Sequence, residues 1–285
     1  MESILATLKP FAEYKQRSYE ISKNVHIPLL EGLSDPSDGP VVVFLGDGIF
    51  ENMITTGESP NFPAPWPSPA LLSEATLATW AENPNMAMYR ASRLLNAGVS
   101  GDRIQNLVYR LVGDEDEGGT LPGLLPLLAR CGTVQTWVLH IGRENVSAEN
   151  DGLSDEDIMA LKQLVLALFS INPAGGVKTK IVLTYMFGEK LEVYRGNEAI
   201  KNLEKRLNNP DTGIRNTLCL RTPAGYIPDQ HLVDDVHLNL DGYKIFAELL
   251  WSMAPAGTYV SGEHGYNLDL RKRIKTETET KGGGE

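Results

Sequence analysis

The sequence predicts an α/β domain: a three-layer α/β/α sandwich on a parallel sheet of about five strands, in flavodoxin-like topology. Two observations carry this expectation. Short apolar, β-branched runs alternate with longer helix-periodic segments along the second half of the chain, which is how strand–helix units feeding one parallel sheet are written. The chain is also rich enough in apolar residues to bury both faces of such a sheet, with 42% hydrophobic and 22% charged residues over 285 positions.

Residues 1–24 place Ile4, Leu5, Leu8, Phe11 and Tyr14 at helical spacing, with Pro10 as a kink or restart. After a loop over 31–40 comes Val41-Val42-Val43-Phe44-Leu45, a buried strand that ends at Gly46-Asp47-Gly48. Residues 55–69 are rich in Pro, Gly and Ser and carry Phe62 and Trp66. They belong to an insertion, 55–88, read equally as a lid over a pocket or a plain surface loop. A helix is expected over 70–80, a turn over 96–101 and an amphipathic helix over 102–112. The acidic stretch 114–119 reads as a loop. Strands over 134–141, 180–185 and 215–220 then alternate with helices over 155–170, 192–207 and 241–253. One domain, 1–265, accounts for all of this; residues 266–285, charged and then glycine-rich, read as a disordered tail.

The net charge of −11 argues against nucleic acid and against anionic membranes as partners, since both are polyanions. Glu2, Lys9, Pro10 and Glu13 interrupt the apolar run a secretion signal needs. Cys131 and Cys219 are too few for a disulfide framework and read as reduced thiols. Together these lead to the expectation of a cytoplasmic protein acting on a small molecule, without a cofactor. His26, His231 and His264 share no metal-ligand spacing, so no metal site is expected. His140, inside a strand, reads as a satisfied core residue.

In open parallel sheets ligands bind beyond the carboxyl ends of the strands. Three segments leave strands there: Gly46-Asp47-Gly48, Gly142-Arg143-Glu144-Asn145, and the loop closing on Asp234-Asp235-Val236-His237. An acid three residues before a histidine is placed to hold its Nδ1, which leaves Nε2 as a base.

In order and spacing these segments resemble the SGNH (GDSL-type) hydrolase family, and most of all its platelet-activating-factor acetylhydrolase-like branch. Phe44-Leu45-Gly46-Asp47-Gly48 matches its strand followed by Gly-Asp-Ser. Asn96-Ala97-Gly98-Val99-Ser100-Gly101-Asp102, running on to Tyr109-Arg110-Leu111, matches its second block. Trp137 to Gly142 matches the third, and Asp234 to Tyr243 the last. The resemblance covers about 40–253 and implies an esterase-type site. His237 would be the base and Asp234 its orienter, and the backbone amides at Gly48 and Gly101 would form the oxyanion hole. Domains of that branch often pair, which leaves a homodimer open.

Two departures change what the resemblance implies. Glycine stands at position 48 where the family has its nucleophilic serine, so no acyl-enzyme can form there. The family's oxyanion asparagine falls at Glu144; either Glu144 faces the site as an acid or base, or Asn145 serves after a one-residue shift. Ser100 and Ser147 could in principle replace the lost hydroxyl, with turn hydrogen bonding as their ordinary role. Three functions follow: proton transfer by His237 and Asp234, with or without Glu144, on a small ester or carbonyl-containing metabolite (water activation, isomerisation, elimination or cyclisation); a serine esterase carrying an engineered Ser-to-Gly change at 48; or a non-catalytic pseudoenzyme that binds a ligand or partner.

Overall fold

The computed structural model describes residues 1–53, 71–72, 94–114, 119–171, 179–209, 217–220, 223 and 225–251. The lid candidate 55–69 and the tail 266–285 lie outside the described residues. So does the helix expected over 70–80, except for two residues, and these are a strand.

Six strands make one sheet: β1 (Val42–Gly46), β2 (Leu71–Leu72), β3 (Leu94–Gly98), β4 (Thr136–His140), β5 (Lys180–Thr184) and β6 (Thr217–Leu220). Their spatial order is β2-β3-β1-β4-β5-β6. All pairings are parallel except that of the short edge strand β2 with β3. The five parallel strands therefore run in the doubly wound, flavodoxin-like order, which reverses direction at β1. Strand β3 is a correction to the reading of 96–101 as a turn. Asn96, Ala97 and Gly98 are its last residues, and only Val99 to Gly101 leave the sheet.

The continuous apolar runs are explained by burial on both faces. Along β1, Val43 and Leu45 enter one core while Val42 and Phe44 enter the other. Trp137 and Leu139 of β4 join the first core, and Val138 joins the second. The first face is covered by α1 (Glu2–Leu8), α3 (Ile27–Glu31), α5 (Ile104–Val112), α6 (Leu124–Cys131), α7 (Asp155–Ser170) and α8 (Leu191–Leu207). The second face is covered by α4 (Gly48–Glu51) and α10 (Leu240–Trp251). Between them along the chain lie α2 (Gln16–Ile21) and α9 (Pro228–His231).

Local rules set several of these boundaries. Ser154 caps α7 by accepting from the Asp157 amide at 3.1 Å, while Asp157 accepts from the Ser154 amide at 3.1 Å. Three acids in that first turn suit the positive end of the helix dipole. Helix α5 starts two residues later than its periodicity suggests. Asp102 is withdrawn from it to bind Arg110, and Asn145 reaches over from the exit of β4 to accept from the Ile104 amide at 2.9 Å.

Arg110 and Asp102 are both fully buried. The guanidinium donates to Asp102 at 2.8 Å, to the Ala97 carbonyl at 2.9 Å and to the Gly46 carbonyl at 3.3 Å. Ser18 donates to the other Asp102 oxygen at 2.5 Å. One side chain thus ties together the ends of β1 and β3 and the loop after β3. Removing one partner of a buried pair strands the other charge, which costs about 3–5 kcal/mol. Arg110→Met should lower stability by about that much in urea denaturation, and Arg110→Met with Asp102→Asn should recover part of the loss. Equal loss in the single and double variants would contradict this account.

Candidate functional site

The reversal of strand order falls between β1 and β4, where a crevice opens at the carboxyl edge. A small cleft lies there, lined by Asp47, Gly48, Ile49, Ser100, Gly101, His140, Arg143, Glu144, Phe187, Val236 and His237. Its cavity volume is about 30 Å³, enough for one or two water molecules. Residues from the exits of β1, β3, β4 and β5 and from the loop before α10 converge on it.

Helix α4 begins at the cleft. Asp47 is its cap, its Oδ1 accepting from the Ile49 amide at 3.1 Å. The Gly48 amide, at the helix start, has no intrahelical acceptor. Among the described residues the backbone N–H groups of Gly48 and Gly101 donate no hydrogen bond. Gly101 adopts φ +74°, a conformation that favours glycine, and Lys15 Nζ donates to its carbonyl at 2.5 Å. Two unengaged amides in one cleft can bind a carbonyl oxygen or an oxyanion.

His237 also lines the cleft. Its Nδ1 is 2.8 Å from Asp234 Oδ2, and Asp234 Oδ1 accepts from the amides of Val236 and His237, each at 2.8 Å. Partial burial would raise the Asp234 carboxyl, but the hydrogen bonds from the His237 ring and these two amides outweigh it and hold the pKa below the usual carboxylate range. Asp234 is therefore an anion at neutral pH, fit to receive Nδ1–H and to leave Nε2 as a base. The histidine side chain is 32% exposed, so the dyad sits at the cleft mouth.

Glu144 and Asn145 part company. Glu144 is exposed and lines the rim of the cleft. Asn145 is buried and lies outside the lining. Its Oδ1 caps α5, and its Nδ2 donates to Gln105 at 2.8 Å and to Asp157 at 2.5 Å. With both ends of its amide engaged, Asn145 holds the β4 exit loop against two helices, and the oxyanion role considered for it has no side-chain donor left.

Ser147 is likewise absent from the cleft; its Oγ accepts from the Asn150 amide at 3.2 Å within a turn. Ser100 is present, at 7% exposure. Sequence reasoning also passed over Arg143, whose Nε is buried without a hydrogen-bond partner among the described residues. His140 is buried at 1% exposure and hydrogen-bonded, as its place inside a strand predicts, and it also lines the cleft. Thr184 Oγ1 donates to the Leu139 carbonyl at 3.2 Å and lies 2.6 Å from His140 Nδ1. This pattern assigns the ring proton to Nδ1. Burial lowers the His140 pKa to about 3, so the ring is neutral at physiological pH. Its place as the last residue of β4, level with Gly46 at the end of β1, was the signal that could have revealed it. Among the described residues no group of three or more His, Cys, Asp or Glu could hold a metal ion, and no helix is long and apolar enough to cross a membrane.

Asp47 is 4% exposed and its Oδ2 has no hydrogen-bond partner. Burial raises its pKa from 3.8 to about 8; the Ile49 amide lowers it, while Glu144 adds to the rise. The carboxyl is thus protonated at neutral pH. Its cost to stability is absent below pH ~4, where folded and unfolded chains are both protonated. The cost grows as pH rises towards 8, because only the unfolded chain ionises. Asp47→Asn keeps the cap acceptor and cannot ionise. Its stability relative to the parent should rise between pH 5 and 8, by ~5 kcal/mol at most, and then level off. A pH-independent difference in denaturant titrations would show that Asp47 is ionised in the fold.

No protein-family model matches the chain, and no curated protein matches it. Solved structures do. A catalytic mutant of Axe2, an acetylxylan esterase from Geobacillus stearothermophilus, aligns at 16% identity over 79% of this chain and 99% of its own, with a TM-score of 0.47. A GDSL-like lipase from Parabacteroides merdae aligns at 15% identity over 75% of this chain and 94% of its own, with a TM-score of 0.47. The acetyl xylan esterase AlAXEase aligns at 19% identity over 74% and 98%, with a TM-score of 0.46. At this identity and TM-score the likeness bears on neither substrate nor mechanism.

Proposed function

We propose that the chain is an SGNH-type hydrolase-fold protein whose cleft transfers protons on a small ester or other carbonyl compound. His237 is the base, Asp234 fixes its tautomer, and the amides of Gly48 and Gly101 hold the carbonyl oxygen. The observation that carries this reading is the 2.8 Å contact between His237 Nδ1 and Asp234, in a cleft that also contains two unengaged backbone donors. The carboxylate that orients the histidine is itself held by two backbone amides.

The chemistry follows from these parts. Developing negative charge on the carbonyl oxygen is met by donors already in place, so little reorganisation is needed. A proton removed from a nucleophile or from carbon passes to Nε2 of His237, and Asp234 stabilises the resulting imidazolium. Neutral Asp47 adds no negative charge beside the developing oxyanion. Glu144 at the rim and Arg143 in the wall offer one charge of each sign to the substrate's outer portion. The small cavity favours a short acyl group over a long chain. The substrate is soluble and small in this reading, and neither nucleic acid nor a membrane takes part.

Hydrolysis of p-nitrophenyl acetate by the full chain tests this reading. His237→Ala should lower kcat/KM by about 10²–10⁴-fold, the usual contribution of a positioned base. Asp234→Asn should also lower it, with the fall mainly in kcat. Unchanged turnover in His237→Ala would remove the base from the mechanism.

A further inference from the structure

We infer that Ser100 supplies the nucleophilic oxygen that position 48 lacks, so that the hydroxyl has moved from the start of α4 to the loop after β3. The inference rests on His237 acting as the base.

Three observations support it. First, space: a Cβ built on Gly48 would lie 2.9 Å from Ser100 Oγ and 3.5 Å from its Cα and Cβ. The serine side chain therefore stands against the bare α-carbon of residue 48, in the volume a side chain there would enter. A side chain at position 48 would meet the Ser100 hydroxyl there unless that side chain rotated away.

Second, the hydroxyl is uncommitted. Serines in turns ordinarily satisfy Oγ with a nearby backbone group. Ser100 lines the cleft at 7% exposure, yet its Oγ makes no hydrogen bond among the described residues.

Third, the residue is held as a reacting group must be. Its amide donates to Glu51 Oε2 at 2.6 Å, and Glu51 Oε1 accepts from Arg17 at 2.7 Å. Helix α4 thus grips Ser100 twice, through the Glu51 carboxylate at its amide and the Gly48 α-carbon at its side chain. The following residue is Gly101, whose amide is one of the two unengaged donors.

The steps balance without an added reactant other than water. His237 Nε2 takes the Ser100 hydroxyl proton as the Oγ–C bond forms, and the carbonyl electron pair moves onto the oxygen facing the Gly48 and Gly101 amides. Collapse breaks the bond to the leaving alcohol, which takes the proton from His237. Water then attacks the acyl-Ser100 ester by the same route, releasing a carboxylic acid and restoring the hydroxyl.

The experiment treats the full chain with p-nitrophenyl acetate and, separately, with an alkyl fluorophosphonate, followed by acid quench and peptide mapping by mass spectrometry. The expected result is an adduct on the peptide carrying Ser100, lost in Ser100→Ala, together with a fall in turnover of about 10²-fold or more in that variant. Thermal unfolding of Ser100→Ala checks that it remains folded. Ser100→Cys provides an independent readout: iodoacetamide should alkylate position 100, and His237→Ala in that background should slow the reaction at least tenfold. An adduct on another residue, no adduct together with His237-independent alkylation, or parental turnover in Ser100→Ala overturns the inference. If Ser100→Ala turns over normally while His237→Ala does not, water is the nucleophile and only this inference falls. If His237→Ala changes neither turnover nor labelling, the proton-transfer reading falls with it.

Discussion

A guanidinium with no access to solvent holds the working edge of this protein together. Arg110 spends its donors on Asp102 and on carbonyls near the ends of two neighbouring parallel strands, Ala97 in β3 and Gly46 in β1. The Gly46 carbonyl also accepts from the Val99 amide at 3.0 Å, so the guanidinium gives this buried oxygen a second donor. A planar fork with several donors satisfies both strand ends and a carboxylate at once. The cleft is built on what this fixes: the start of α4 follows β1 directly, and the turn carrying Ser100 and Gly101 follows β3.

Close approach is the second constraint. At Gly98 a Cβ would lie 2.5 Å from the Glu51 amide and 2.6 Å from Phe50 Cβ, so α4 can lie across the end of β3 only because that residue has no side chain. Asn96 reinforces the contact by donating to the Phe50 carbonyl at 2.8 Å, and Tyr243 ties α10 to α4 through the Ile49 carbonyl at 2.9 Å. A four-residue helix would not persist alone; here it is pinned from two sides. This pinning brings Gly48 and Glu51 against Ser100 and gives the cleft a rigid floor. The mouth, formed by His237 and Asp234, is more open to water.

The cleft floor is unusual in being polar yet uncharged. Burial keeps Asp47 protonated and His140 neutral. These neutral groups share the cleft with Arg143 in its wall and Glu144 at its rim.

Much of this was legible in the residues themselves. Val42 to Gly46 and Thr136 to His140 read as buried strands because parallel strands covered on both faces are apolar throughout. Asp234 and His237 read as a dyad because three residues of chain let an acid reach back to an imidazole. Strand β3 was hidden because Asn96, Ala97 and Gly98 carry the composition of a turn; only their pairing with β1 and the contact with α4 make them a strand. The fates of Glu144 and Asn145 could not be read from their order, since the amide was captured by α5 and α7, elements distant in sequence. The sequence by itself determined the alternation of strands and helices, the glycine at 48 and the acid–histidine spacing, all set by neighbours along the chain. Only the tertiary structure decided which hydroxyl stands beside Gly48 and which carboxyl loses its charge, because both depend on what other strands and helices place around them.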